Sequence, residues 1–248
     1  MLILTFILLI IGVLGGLMST TTGLASLISY PALLLLGLSP INANVTNTFA
    51  LVFTGISSAF SSRRELRGRR REILKLLPIV VAGCICGALT LFVFPEKTFA
   101  KVVPFCILGA TVLFLIPKKN YSQKKQANVV IISSWIGVFF VGMYCGYFGA
   151  AGGIVMLAIL GVISSAPFIV YNAEKNLLLG AANIVAIIIY SLKIEIKWRY
   201  VFPLAIGFLI GGYIGPIIVR LIPEKLMKLI VGTGSLVLTS ILFFQAFK

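Results

Sequence analysis

Ten apolar runs separated by short polar stretches make up almost the whole chain, at 2–18, 24–38, 45–61, 76–94, 99–116, 129–148, 154–170, 177–192, 201–222 and 226–247. A helix that crosses lipid needs about 20 residues at about 1.5 Å each, and most of the runs approach that length. The second and seventh are short for a crossing, which predicts half-helices, and each follows a break. Between 12 and 31 the chain reads GVLGGLMSTTTGLASLISYP, apolar at both ends and interrupted by Ser19, Thr20, Thr21, Thr22 and Gly23. About 130 residues later GMYCGYFGAAGGIV repeats the interruption, with Gly142, Gly146, Gly149, Gly152 and Gly153 in register with Gly12, Gly16, Ser19, Thr22 and Gly23. Matched breaks in two halves point to a transporter's substrate site.

The echo continues beyond the breaks. Gly83 and Gly87 correspond to Gly211 and Gly215, and Pro95, Glu96, Lys97 returns as Pro223, Glu224, Lys225. Residues 1–117 and 127–248 are therefore expected to be duplicated transmembrane repeats, joined by a basic linker, 118–126, that holds Lys118, Lys119, Lys124 and Lys125. The expected fold is an all-α polytopic membrane protein. It has two homologous halves of about four spans, each opening on a broken or re-entrant helix pair.

Composition supports the membrane assignment: 60% of the 248 residues are hydrophobic, 11% are charged and mean hydropathy is +1.12. The first run has no basic leader and no small-x-small cleavage pattern, so it is assigned to the fold and not to a signal peptide. A net charge of +15 would suggest nucleic acid in a soluble protein. Here the cations sit in short loops and no basic patch is interleaved with aromatics, so nucleic acid is not an expected partner.

Those loops set the orientation. Arg63, Arg64, Arg67, Arg69, Arg70, Arg71 and Lys75 crowd one, four lysines fill the linker, and Lys193, Lys197 and Arg199 lie in a third. By the positive-inside rule all three are expected on the cytoplasmic side of the cell membrane. That arrangement, which the charges favour, requires each break pair to make one net crossing. In the competing arrangement all five segments per half cross, the halves are inverted, and the loop from Lys193 to Arg199 moves outside with a net charge of only about +2.

With no His, no Asp and only six acids, the chain lacks the material of His-based metal sites and catalytic triads, so neither an enzyme nor a cofactor is expected. Cys84, Cys86, Cys106 and Cys145 lie in apolar runs and read as small buried hydrophobes, not metal ligands.

A helix broken within lipid exposes backbone polar groups, tolerated only where they face protein or water. The amino end of the helix after a break offers free N–H groups and the positive end of the dipole, which suits a small anion. Ser19, Thr20, Thr21 and Thr22 would add hydroxyl donors, and Gly23, Gly149, Gly152 and Gly153 would let backbone approach the ligand. The outer glycines, Gly12, Gly16, Gly83, Gly87, Gly142 and Gly146, read as helix-packing faces. A second polar cluster opens the third run of each half: Asn44, Thr46, Asn47 and Thr48, then Asn172, Glu174, Asn176 and Asn183. Asn44 and Asn176 suit helix caps. Asn47, Thr48 and Asn183 fall deeper, where a substrate oxygen could partner an amide or hydroxyl. Glu174 and Lys175 are expected at a membrane edge, Glu174 being the candidate for coupling to H+ or Na+, and Arg220 is expected to snorkel.

These features resemble the TauE/SafE sulfite-exporter family, also described as 4-toluene sulfonate uptake permeases. The resemblance rests on a Gly-rich broken motif, an Ala-x-x-Thr stretch and a basic loop, here 12–31, 43–48 and 63–71, then 142–153, 173–176 and 193–199. It implies a duplicated transporter for sulfite, thiosulfate or small organosulfonate anions. The expected function is secondary transport of such an anion by alternating access, driven by an ion gradient or the anion's own gradient since no Walker motif is present. The partners are the anion, the lipid bilayer and a coupling ion, with a homodimer left open. The alternatives are a non-transporting membrane partner subunit and a passive anion channel.

Overall fold

The structure is a computed structural model that describes residues 2–92, 128–148 and 152–223, with scattered positions from 225 to 240. The fifth run, the linker, Gly149 and Cys106 lie outside the described residues, as does most of the tenth run. The described residues form helices and turns and no strand: α1 (Leu2–Thr21), α2 (Ser26–Leu35), α3 (Pro40–Ser61), α4 (Arg63–Leu66), α5 (Arg70–Thr90), α6 (Asn128–Tyr147), α7 (Gly152–Ile163), α8 (Phe168–Ser191) and α9 (Trp198–Leu221).

Of these, α1, α5, α8 and α9 are long and apolar enough to cross a bilayer. Their outer faces carry large apolar side chains, among them Phe6, Leu89, Phe202 and Ile206, each more than half exposed. Water would not tolerate such a continuous apolar coat, whereas hydrocarbon does. The polar residues are inside instead. On α3, Asn44, Thr46, Asn47 and Thr48 are buried, as are Asn172, Glu174, Lys175, Asn176 and Asn183 on α8. α3 starts where Ser39 accepts a bond from Asn42 N at 3.4 Å and Pro40 occupies the first turn.

Glycines set the helix spacing, as expected for the outer ones. A Cβ at Gly12 would lie 2.5 Å from the Leu204 carbonyl and one at Gly16 2.7 Å from that of Phe208, so α1 and α9 touch backbone to backbone. Gly83 and Gly87 on α5 press in the same way on Phe139 and Met143 of α6. α3 and α8 cross at Gly55 and Gly180, where a Cβ on Gly55 would fall 2.6 Å from the Gly180 Cα.

The order of contacts gives the helix directions. Gly12, Gly16 and Thr20 of α1 meet Gly207, Gly212 and Gly215 of α9, so these helices run parallel. α3 is parallel to α9, because Thr54 donates to the Phe208 carbonyl and Ser61 accepts from Arg220 twelve residues further on. α5 is parallel to α6 through Val80 with Gly142 and Cys84 with Gly146, and to α8 through Arg69 with Glu174 and Cys84 with Ala182. α3 and α8 are antiparallel: their Gly55–Gly180 crossing is followed, past the end of α3, by contact between Arg69 and Glu174. The turns at 62–69 and 192–197 therefore lie at opposite ends of the bundle. The arrangement favoured from charge, with all three basic loops on one face, needs α3 and α8 to run the same way. The directions are those of the competing arrangement, and a small loop-charge bias is too weak to outweigh the backbone contacts that fix them.

Candidate functional site

The first break begins where α1 ends. Gly23 adopts a left-handed conformation (φ 82°), and the N–H groups of Gly23 and Leu24 fold back onto the Met18 carbonyl at 2.9 and 3.2 Å. The remaining carbonyls at this end are met by side chains from α8. Asn172 Nδ2 donates to Thr20 O at 2.8 Å, Asn176 Nδ2 donates to the same oxygen at 3.3 Å, and Lys175 Nζ donates to Ser19 O at 2.9 Å. A cation at the negative end of a helix dipole is favourable placement. α2, ten residues long, then starts with no side chain capping its first turn.

The second break separates α6 from α7, and its residues 149–151 lie outside the described residues. α6 stops at Tyr147, whose carbonyl accepts Asn44 Nδ2 from α3 at 3.1 Å, and the twelve-residue α7 starts at Gly152. Asn44 and Asn176 are thus caps, but of helix ends other than their own. The two breaks touch, since a Cβ on Gly23 would sit 2.6 Å from the Gly153 Cα.

Beside that contact lies a small cavity. Ala25 and Ser26 at the start of α2, and Gly153 from the first turn of α7, line it. Lys175, Asn176 and Asn183 enter from α8, and Thr54 and Ser58 from α3. Lys175 is 1% exposed, and among the described residues no carboxylate is within ion-pair distance of its ammonium. Its neighbour Glu174 leaves in another direction, to Arg69 Nε at 2.6 Å. Two helix starts and an amino group with no carboxylate beside it among the described residues give the cavity a lining suited to negative charge.

Of the residues singled out in the sequence, Ser19, Gly23, Gly153 and Asn183 line this cavity. Thr20, Thr21 and Thr22 do not, because their hydroxyls donate to the carbonyls of Gly16, Leu17 and Met18 at 2.9, 2.7 and 2.8 Å. Thr48 likewise donates to Asn44 O at 2.9 Å. Asn47 stands one layer behind the cavity. Its Nδ2 donates to Ser26 Oγ at 3.1 Å, and its Oδ1 accepts from Ser29 Oγ at 2.5 Å. Gly152 packs on the Cys145 sulfur. Lys175 is the site residue that sequence reading placed at the membrane edge. Its place in a run of polar residues one helical turn from Asn172 was the available signal.

At the other end of α3, Arg220 does not simply snorkel: Nε and Nη2 bond Glu65 Oε1 and Oε2 at 2.8 and 2.9 Å. The Arg220 guanidinium holds the Glu65 carboxyl below its usual range.

The family model described as "Sulfite exporter TauE/SafE" matches residues 8–242. The "Probable membrane transporter protein YfcA" of Escherichia coli strain K12 is 23% identical over 242 residues, covering 97% of this chain and 90% of that protein. A "Probable membrane transporter protein" of Haemophilus influenzae is 24% identical over 235 residues, covering 94% and 92%. A "Probable membrane transporter protein ORF9" of Sinorhizobium sp is 23% identical over 204 residues, covering 81% and 77%. No solved structure matches the chain. Broken apolar helices around a buried polar cavity and a family match over nearly the whole length lead to one conclusion: the chain belongs to the TauE/SafE family of membrane transporters.

Proposed function

We propose that the protein is a secondary transporter whose cavity binds a small anion, a sulfur oxyanion or organosulfonate of the sulfite, thiosulfate or sulfoacetate type. The observation that carries this reading is Lys175, a buried amino group with no carboxylate partner among the described residues, facing a cavity onto which two helices open their first turns. Leaving a buried charge without a counter-charge is costly. An anion between Lys175, Ser26 and the first turn of α7 would supply that charge, with the Asn183 amide as a further polar contact. Asn47 holds the Ser26 hydroxyl oxygen as an acceptor, which leaves the Ser26 O–H free to point at the anion. Lys175 meanwhile grips the end of α1, so an anion competing for its protons would loosen a contact between the first and second parts of the chain.

Alternating access follows from duplication with inversion, the reading we adopt for 1–117 and 127–248. It is supported by the opposed directions of α1 and α6 and of α3 and α8, and by Asn44 and Asn172 taking corresponding caps. Among the described residues, the ion pairs Arg69–Glu174 and Glu65–Arg220 join the first part to the second at one end of the bundle, where they would close that end. Purified protein in proteoliposomes should take up labelled thiosulfate saturably, with sulfite competing. Asn47→Leu, which strips Ser26 of its partner, should lower uptake at least about tenfold. Protein that is folded but moves no sulfur anion would reject the proposal.

A further inference from the structure

A buried amino group that lacks a counter-charge has two ways to avoid the cost of its charge: an anion can join it, or its proton can leave. Lys175 is 1% exposed, and both it and Ser19, whose carbonyl accepts from Nζ at 2.9 Å, line the cavity. A neutral amine donates that bond as well as an ammonium does, so the bond alone does not retain the proton. The other elements around the cavity bring no balancing carboxylate. α6 contributes Cys145, α3 contributes Thr54 and Ser58, α8 itself adds Asn176 and Asn183, and α2 and α7 add no titratable side chain. Of the carboxylates on α4, α5 and α8, Glu65 pairs with Arg220, and Glu72 and Glu174 pair with Arg69. Glu174, the acid that the sequence put forward for coupling, is thus held by another group and does not line the cavity. α3 offers no substitute. Three positions after Asn172 comes Lys175, whereas three positions after Asn44 comes Asn47, a neutral amide engaged by Ser26 and Ser29.

We propose that Lys175 is the coupling residue: its amino group takes up one proton with each anion, and the protein moves the two together as a proton–anion symporter. This rests on the transport reading above and assigns the coupling ion of that same site. The anion supplies the counter-charge that the ammonium lacks, and the ammonium supplies the charge that holds the anion. By linkage each therefore raises the affinity for the other by the same factor. The proton comes from water on the side to which the cavity opens, stays on Nζ while the anion is bound, and returns to water when the anion leaves on the other side. No bond to the anion forms and nothing is oxidised. The emptied site returns with a neutral amine that still bonds Ser19 O, so the return step carries no charge. A thiosulfate dianion moved with one proton carries one net negative charge.

The test counts protons. Thiosulfate, which takes up no proton of its own near neutral pH, is added to the purified full chain in weakly buffered detergent with a pH-indicator dye, from about pH 6 to 9, a range in which an exposed lysine stays charged and would take up nothing. Binding should consume protons, approaching one per bound anion at the alkaline end. Thiosulfate affinity should rise up to about tenfold for each unit that pH falls, until the empty site already holds its proton. In proteoliposomes an acid outer medium should drive thiosulfate accumulation, and exchange of sodium for choline should leave it unchanged. Lys175→Arg, whose guanidinium keeps its proton throughout, should still bind thiosulfate but consume no protons and ignore the pH gradient. Should that variant fail to fold, the wild-type count decides alone. Thiosulfate bound without proton uptake at every pH would overturn the coupling and leave the anion site standing, and so would proton uptake undiminished in Lys175→Arg. Accumulation that follows a sodium gradient and ignores pH would overturn it too. No thiosulfate binding at any pH would remove the transport reading and this inference with it.

Discussion

Lys175→Met removes the charge on which anion binding depends while keeping the length and apolar stem of the side chain. An ammonium–anion bond in a buried cavity is worth about 1.5–3 kcal/mol, so affinity should fall about 10- to 150-fold. At an anion concentration 100 times its dissociation constant, binding stabilises the folded chain by about 2.7 kcal/mol. A site made 100-fold weaker retains only about 0.4 kcal/mol at the same concentration. For a chain of this length the anion-induced rise in melting temperature should shrink from about 5–11 °C to less than about 2 °C. Stability without anion moves differently. The bond from Lys175 to Ser19 O, worth about 1 kcal/mol, is lost, but so is a buried charge that no carboxylate among the described residues offsets and that costs several kcal/mol. The anion-free melting point should therefore hold or rise. Melting scans with sulfite, thiosulfate and sulfoacetate against chloride measure both quantities, and Lys175→Arg should keep part of the shift. A Lys175→Met protein with the full anion-induced shift would refute the reasoning, as would one that melts lower without anion and binds it normally.

Other outcomes follow from the same geometry. Thr21→Val and Thr22→Val should leave thiosulfate flux within about twofold, because these hydroxyls bond their own helix; a large loss would put them back in the site. Gly23→Ala should destabilise the chain by about 2 kcal/mol or more, from a left-handed backbone and a Cβ against Gly153, and this is read as a lower melting temperature. Glu65, held below 4.5 by Arg220, contributes stability that is complete above that pH and is lost as pH falls through its folded value. Wild type should therefore lose melting temperature below about pH 4.5 more steeply than Glu65→Gln, and matched acid profiles would count against the pair.

The breaks were legible because Ser19, Thr20, Thr21, Thr22 and Gly23 cannot be explained as one face of a lipid-spanning helix, and the glycine register repeats them at Gly152 and Gly153. The short lengths of α2 and α7 followed from the runs after each break. The outer glycines were also legible, since Gly12 and Gly16 recur at the spacing of a helix contact face. The misplaced residues failed for identifiable reasons. Glu174 and Lys175 read as one polar pair, yet adjacent helical residues point about 100° apart, so Glu174 reaches Arg69 while Lys175 reaches the cavity. The threonines read as donors to a ligand, but a hydroxyl in the last turn of a helix is close to the carbonyl four residues back. Helix direction was out of reach, because it is fixed by contacts such as Gly55 with Gly180 that join distant parts of the sequence, while the loop charges supply only a statistical bias.

The account turns on an anion seated between the two breaks, and diffraction can locate it. Crystals of the full chain grown with selenite, the heavier analogue of sulfite, should give an anomalous selenium peak within about 4 Å of Lys175 Nζ, hydrogen-bonding distance plus one Se–O bond. A peak confined to the surface, or a cavity filled by its own side chains at saturating selenite, would contradict it.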